Sequence, residues 1–171
     1  MIPVNIKKDN LLIRNIEAHD LKLVLDCINE AEENFKTLGR DILLDYYELE
    51  QRYLESLMNS LEYFCGIFIE EKLIGIIKGR IENRVEEELW ILSYLLLHEY
   101  RNKGIGTKVL KAIEEYFHLN YSIDKYCILI LDSNKKGLKF WMDNHYLISR
   151  KTNSLGLDNG SKMIILDKLY K

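Results

Sequence analysis

Seven residues constrain this chain more than any others: Arg101-Asn102-Lys103-Gly104-Ile105-Gly106-Thr107, set between an apolar strand pattern from Leu89 to Leu97 and a helical pattern from Ile105 to Phe117. The first N–H groups of a helix lack intrahelical partners and carry the positive end of its dipole. A loop entering a helix therefore offers main-chain donors to an anion. Glycines at 104 and 106 remove the side chains that would block the approach. A Gly-x-Gly at such a junction fits a plain tight turn as well as a phosphate loop. The Walker spacing is absent, and the dinucleotide fingerprint fails because Val109 stands where its third small residue belongs.

The chain has 171 residues, 47% of them hydrophobic and 30% charged, a size that predicts one domain, residues 1–171, with a substantial core. A net charge of -3 with mixed signs gives no basic surface of the kind that follows nucleic acid, so no nucleic-acid partner is expected. Cys27, Cys65 and Cys127 lie far apart in apolar-periodic segments without metal-ligand spacing. They read as buried thiols, and no metal is expected. The start, Met1 to Asn10, lacks a secretory signal, and no segment approaches the roughly 20 apolar residues that span a bilayer; the expectation is a cytoplasmic protein with no membrane partner.

Periodicity predicts a strand over Leu11 to Ile16, then a helix capped by His19 or Asp20 and carrying Leu21, Val24, Leu25 and Ile28. A break at 37–40 precedes a second helix over Asp41 to Met58, with Ile42, Leu43, Tyr46, Leu49, Tyr53, Leu54 and Leu57 as its inner stripe. Tyr63 to Ile69 and Leu73 to Ile81 form a hairpin around Glu70-Glu71-Lys72, and Glu82 to Glu87 a charged loop. Leu89 to Leu97 shows little alternation, as expected of a strand covered on both faces. Its helix is followed by a strand over Tyr126 to Leu131, a cap at Asp132-Ser133-Asn134, a helix over Lys135 to Asn144, and two antiparallel strands over 146–151 and 162–169 around a polar loop.

This order, with the loop, resembles the GCN5-related N-acetyltransferase (GNAT) superfamily. Its signature of a strand, Arg/Gln-x-x-Gly-x-Gly/Ala and a helix is matched by Arg101, Gly104 and Gly106, preceded by the aromatic Tyr100; Asn134 matches its downstream asparagine. The resemblance runs from Ile13-Arg14 to the final hairpin. It implies an α/β (α+β) fold: a mixed, mostly antiparallel sheet of about seven strands flanked by about four helices, whose central strands 88–97 and 126–132 splay apart. It also implies acetyl-CoA as cosubstrate, its diphosphate on Arg101, Asn102, Lys103, Gly104, Ile105, Gly106 and Thr107, and its pantetheine along the backbone of Tyr94, Leu95, Leu96 and Leu97. An unpaired buried peptide group needs a partner, and an amide-bearing cofactor supplies one. Asn134 is the further cofactor contact. Trp141 stands at the family's usual tyrosine acid, where an indole packs against cofactor but has no titratable proton to give.

The implied activity is transfer of an acetyl group from acetyl-CoA to a primary amine of a small molecule, peptide or protein by direct attack, with the N–H near Leu96 polarising the thioester. The alternative is a non-catalytic acyl-CoA-binding module. Glu88 is the candidate base, sharing strand parity with Trp90, Leu92 and Tyr94, against the plainer reading of a solvated charge run. Tyr146 is the candidate donor, against a packed tyrosine. His98 and His145 are of the residue type that serves as acid or base near neutral pH, but both sit at element ends. The amine itself is beyond the sequence, and the resemblance admits a homodimer.

Overall fold

The computed structural model describes residues 1–37, 42–83, 87–153 and 162–170. Eight strands among them form one sheet in the order β1-β2-β3-β4-β5-β6-β8-β7. The strands are β1 (Asn5–Lys8), β2 (Leu11–Asn15), β3 (Glu62–Ile69), β4 (Lys72–Asn83), β5 (Glu87–Leu96), β6 (Lys125–Leu131), β7 (Leu147–Asn153) and β8 (Lys162–Leu169). Every neighbouring pair is antiparallel except β5 and β6, which run parallel with helix α4 (Ile105–Tyr121) as their crossover. The other helices are α1 (Leu21–Asn29), α2 (Glu32–Thr37), α3 (Tyr46–Met58) and α5 (Lys135–Asp143).

The sheet is packed on both faces. Val109, Leu110, Ile113 and Phe117 of α4 are fully buried against Ile77, Leu89, Ile91, Tyr126 and Ile128. Each such side chain contributes about 1.5–3 kcal/mol relative to exposure. On the other face Val24 and Ile28 of α1 and Leu49 and Tyr53 of α3 cover Phe64, Phe68, Ile76 and Leu95. At the rim of that layer Asp20 is 2% exposed and takes both guanidinium nitrogens of Arg14 at 2.6 and 3.0 Å. Burial pushes the Asp20 carboxyl up, but Arg14 and the Glu17 N–H outweigh it and hold the group below the usual range.

Two elements were not expected from the periodicity. β1 has four residues, too short for an alternation to show, and it pairs with β2. α2 is a six-residue helix whose residues carry no apolar stripe. The helix predicted from Asp41 begins at Tyr46, because the Asp45 carboxylate accepts from the Glu48 N–H at 2.8 Å and caps it there. Its predicted inner stripe is correspondingly reduced: Leu49 and Tyr53 are buried, whereas Ile42, Leu43, Tyr46, Leu54 and Leu57 are exposed. Parts of the predicted break at 37–40, of the charged loop and of the polar loop after 152 lie outside the described residues.

Candidate active site

β5 changes partners along its length. Glu88, Leu89, Trp90 and Ile91 pair with Lys125, Tyr126, Cys127 and Ile128 of β6, and the pairing ends there. The next residue, Leu92, is a bulge: Lys78 of β4 faces Ser93 while Gly79 faces Ile91. A bulge bends its strand and increases its twist, and here it sits where β5 leaves β6. From Ser93 onward β5 is paired to β4 alone.

The bulge also reverses which side chains share a face. Sequence parity places Glu88, Trp90, Leu92 and Tyr94 together, but Tyr94 emerges on the α4–α5 side, beside Phe140 and Trp141 at ring centroid distances of 5.8 and 6.0 Å. Glu88 and Trp90 stay on the opposite side with Cys127.

The main chain follows the same logic. Leu97 donates to Ile74 O of β4 at 2.9 Å, so alternation turns Leu95 toward β4 as well, and the N–H and C=O of Tyr94 and Leu96 toward the split. Of the four residues expected to meet pantetheine, Tyr94 presents its N–H and C=O and Leu96 its N–H, the Leu96 carbonyl being taken by Arg101. Leu95 and Leu97 use theirs in the ladder.

The loop that follows is built as an open cradle. Asn102 (φ 57°) and Gly104 (φ 75°) are both left-handed, and a Cβ on Gly104 would touch nothing. Gly104 caps α4 without any side-chain hydrogen bond, and the first intrahelical bond runs from Lys108 N to Gly104 O at 3.1 Å. The amides of Ile105, Gly106 and Thr107 are therefore left to an outside acceptor. A Cβ on Gly106 would come within 3.1 Å of the Phe140 ring, so here glycine is needed for close approach. The Tyr94 hydroxyl donates to Gly106 O at 2.8 Å, tying the split strand to the first turn of α4. Across the split, Asn134 caps α5 by accepting from Gly137 N at 2.9 Å.

Arg101 does not extend along the cradle. Its Nε donates to Leu96 O at 2.8 Å, and its terminal nitrogens reach Asn34 Oδ1 at 2.5 Å and Glu33 at 3.2 Å, both on α2. These contacts, like Phe140 against Gly106, join residues far apart in sequence. Only a pattern for α2 would have signalled them, and it has none.

The two proton-transfer candidates differ. Glu88 lies on the side away from α4, where the bulge residue Leu92 and Leu129 of β6 are exposed. It accepts from Lys125 at 2.6 Å and from the Trp90 indole at 3.1 Å. Burial pushes its carboxyl up, but the Lys125 and Trp90 hydrogen bonds outweigh it and hold the group below the usual range. Tyr146 does not fit its expected donor role. It is fully buried, its hydroxyl donates to Glu114 Oε1 at 2.9 Å, and Lys168 closes the same carboxylate at 2.7 Å. Burial first, then Glu114, raises its pKa, and its hydroxyl is spent on Glu114. Trp141 is buried behind Tyr94 and Phe140, edge-on to Tyr146, so it forms the packing under the cradle. Cys127 is buried with its thiol pushed up to about 12, first by burial, which disfavours a thiolate nucleophile. His98 stands in a short turn at the mouth. His145 (φ 71°) lines a separate cleft of about 900 Å³ among Lys111, Met142 and Leu147.

The acetyltransferase (GNAT) domain family matches residues 13–163. The chain belongs to the GNAT family. It is an acetyl-CoA-dependent N-acetyltransferase with the split sheet of that family. Solved structures agree on the fold. The Salmonella typhimurium acetyltransferase that modifies the N-terminal serine of a 50S ribosomal subunit protein superposes with TM-score 0.81 at 13% identity, over 96% of this chain and 97% of that one. The spermidine N-acetyltransferase of Vibrio cholerae, in complex with CoA and spermine, gives 0.78 at 15% identity over 95% and 96%. The microcin C7 self-immunity acetyltransferase, in complex with acetyl-CoA and AMP, gives 0.79 at 16% identity over 95% and 94%. No curated protein matches the chain by sequence. Among the described residues no helix is long and apolar enough to cross a membrane.

Proposed function

We propose that this GNAT enzyme binds acetyl-CoA with its diphosphate on the amides of Ile105, Gly106 and Thr107 and its pantetheine against Tyr94 and Leu96, and acetylates a primary amine presented on the opposite side of the sheet. The observation that carries this reading is the turn of the Tyr94 and Leu96 main chain into the split, in line with an uncapped helix N-terminus. Buried peptide groups and helix amides both need partners, and one molecule with amides and phosphates meets both needs. Asn134, its carbonyl used by the cap, keeps its amide nitrogen for the same ligand.

Acetyl-CoA supplies the activated acyl group, and the chain's residues supply placement. The Leu96 N–H, turned toward the split, is the proposed donor to the thioester carbonyl, and such a donor counts most when fixed away from water. The amine nitrogen bonds to the carbonyl carbon as the C–S bond breaks, and its proton must leave. On the acceptor side the Glu88 carboxylate, ionised and held by Lys125, attracts an ammonium and takes that proton through a chain of waters, since seven residues of β4, roughly 23 Å, separate the partners of Glu88 and Leu96. With Tyr146 enclosed, the thiolate leaves without a tyrosine donor. Exposed Leu92 and Leu129 beside Glu88 suit an acceptor with both an apolar stem and a cationic end. A cytoplasmic setting fits the three buried free thiols.

The test is acetyl-CoA turnover, followed as free thiol, across a panel of polyamines, amino-terminal peptides and small amines. Turnover with at least one amine is expected, with Glu88→Gln lowering kcat/KM about tenfold or more near pH 6.5 and less near pH 9, where a far larger fraction of the amine is already neutral. A Glu88→Gln rate unchanged at both pH values removes Glu88 from the mechanism.

A further inference from the structure

Three elements meet at the mouth of the split, and a single carboxylate spans them. Glu33 of α2 contacts Arg101, at the end of β5, at 3.2 Å through Oε2, and Lys136, in the first turn of α5 beyond β6, at 3.1 Å through Oε1. β5 and β6 run parallel, so both cations stand at the same edge of the sheet, on opposite sides of the opening. The Arg101 guanidinium is already oriented by neutral acceptors: Nε by Leu96 O, and one terminal nitrogen by Asn34, which is 1% exposed and donates to Cys27 O at 3.0 Å. The nitrogen that meets Glu33 is the exchangeable one. Glu33 is half-exposed and Lys136 almost fully exposed.

We propose that Glu33 competes with acetyl-CoA for Arg101 and Lys136, its carboxylate bridging the mouth until a phosphate group of the incoming cofactor takes its place. This rests on the reading that acetyl-CoA enters the split. An anion arriving there finds two cations preset by Asn34, Leu96 O and the start of α5, and displaces one flexible carboxylate. The Lys136 hydrogen bond first, with Arg101 and His98 behind it, holds the Glu33 carboxyl below its usual range despite some opposing burial, so it is ionised at neutral pH and displaced as an anion. The consequence is an affinity lower than the cations alone would give.

Calorimetry with CoA and with adenosine 3′,5′-bisphosphate, on wild type, Glu33→Gln, Lys136→Gln and Glu30→Gln, tests this. Glu30 is the neighbouring carboxylate at the end of α1, so Glu30→Gln deletes equal charge without touching the bridge. Glu33→Gln should bind CoA about three- to fivefold more tightly, the scale of an exposed ion pair. Lys136→Gln should bind more weakly, and Glu30→Gln should match wild type. Equal or weaker binding by Glu33→Gln, with its melting temperature preserved, overturns the proposal. So does equal tightening by Glu30→Gln, which would mark a general field. Absence of heat from CoA with wild type and every variant defeats the underlying reading, and the proposal with it; normal wild-type binding with an unresponsive Glu33→Gln defeats the proposal alone.

Discussion

The two halves of β5 share one backbone and serve opposite ends. Glu88 to Ile91 are bonded to strands on both sides, and Glu88 is locked to Lys125 across the parallel pair. Beyond the Leu92 bulge, Tyr94 and Leu96 keep one neighbouring strand, and on the other side only the Leu96 carbonyl is taken, by Arg101. A sheet normally avoids unpaired peptide groups between its strands, so their retention at the partly buried Tyr94 and Leu96 marks the half that works on a ligand. The first half is a hinge post; the second half, with the α4 cradle aligned to it by Tyr94, is the binding surface.

The largest expected effect comes from filling the open half. Gly106→Glu drives a side chain toward Phe140 and a negative charge into the amide cradle. It should weaken CoA binding by about a hundredfold or more, equivalent to about 3 kcal/mol, measured by calorimetry with the fold checked by circular dichroism. Unchanged affinity would remove the cradle from the account.

Tyr146→Phe addresses the packed side. Deleting a hydrogen bond to a buried carboxylate should cost about 2 kcal/mol in denaturant unfolding, while kcat stays within about twofold. A collapse of kcat in a folded protein would restore Tyr146 as a proton donor. Glu88→Gln probes the closed half of β5 and should cost about 1 kcal/mol at pH 7. The sign follows from a carboxyl whose folded pKa is depressed: its contribution is complete above the unfolded value of about 4.3 and is lost as pH falls through the lowered folded value. The wild type and variant should therefore converge in stability once pH falls below that lowered folded value, and a gap that persists there would show that the lost packing, not the ion pair, was responsible. The smallest effect is Trp141→Phe. It trims a buried ring behind Tyr94 and should change acetyl-CoA affinity by about twofold, since the indole supports the cradle from beneath.

What the sequence made legible was local. The glycines at 104 and 106, the strand before them and the Asn134 cap are set by a few adjacent residues, and they fall where expected. Family likeness at Arg101, Gly104 and Gly106 carried the split sheet, which no periodicity encodes. The Leu92 bulge was invisible because an extra residue in a uniformly apolar run leaves no break in pattern, and it is what separated Tyr94 from Glu88. The contacts of Arg101 with α2 were not legible, because those partners lie 67 residues or more away in sequence. Tyr146 was ambiguous between strand packing and catalysis until Glu114 and Lys168 were seen to enclose it.

Amide hydrogen exchange with and without CoA, followed by mass spectrometry or by NMR, tests the central claim most directly. Exchange should slow at Tyr94, Leu96 and Ile105 to Thr107 on adding CoA, with Glu88 to Ile91 unchanged because their amides are already bonded. Slowing confined to the closed half, or no change at either, would contradict it.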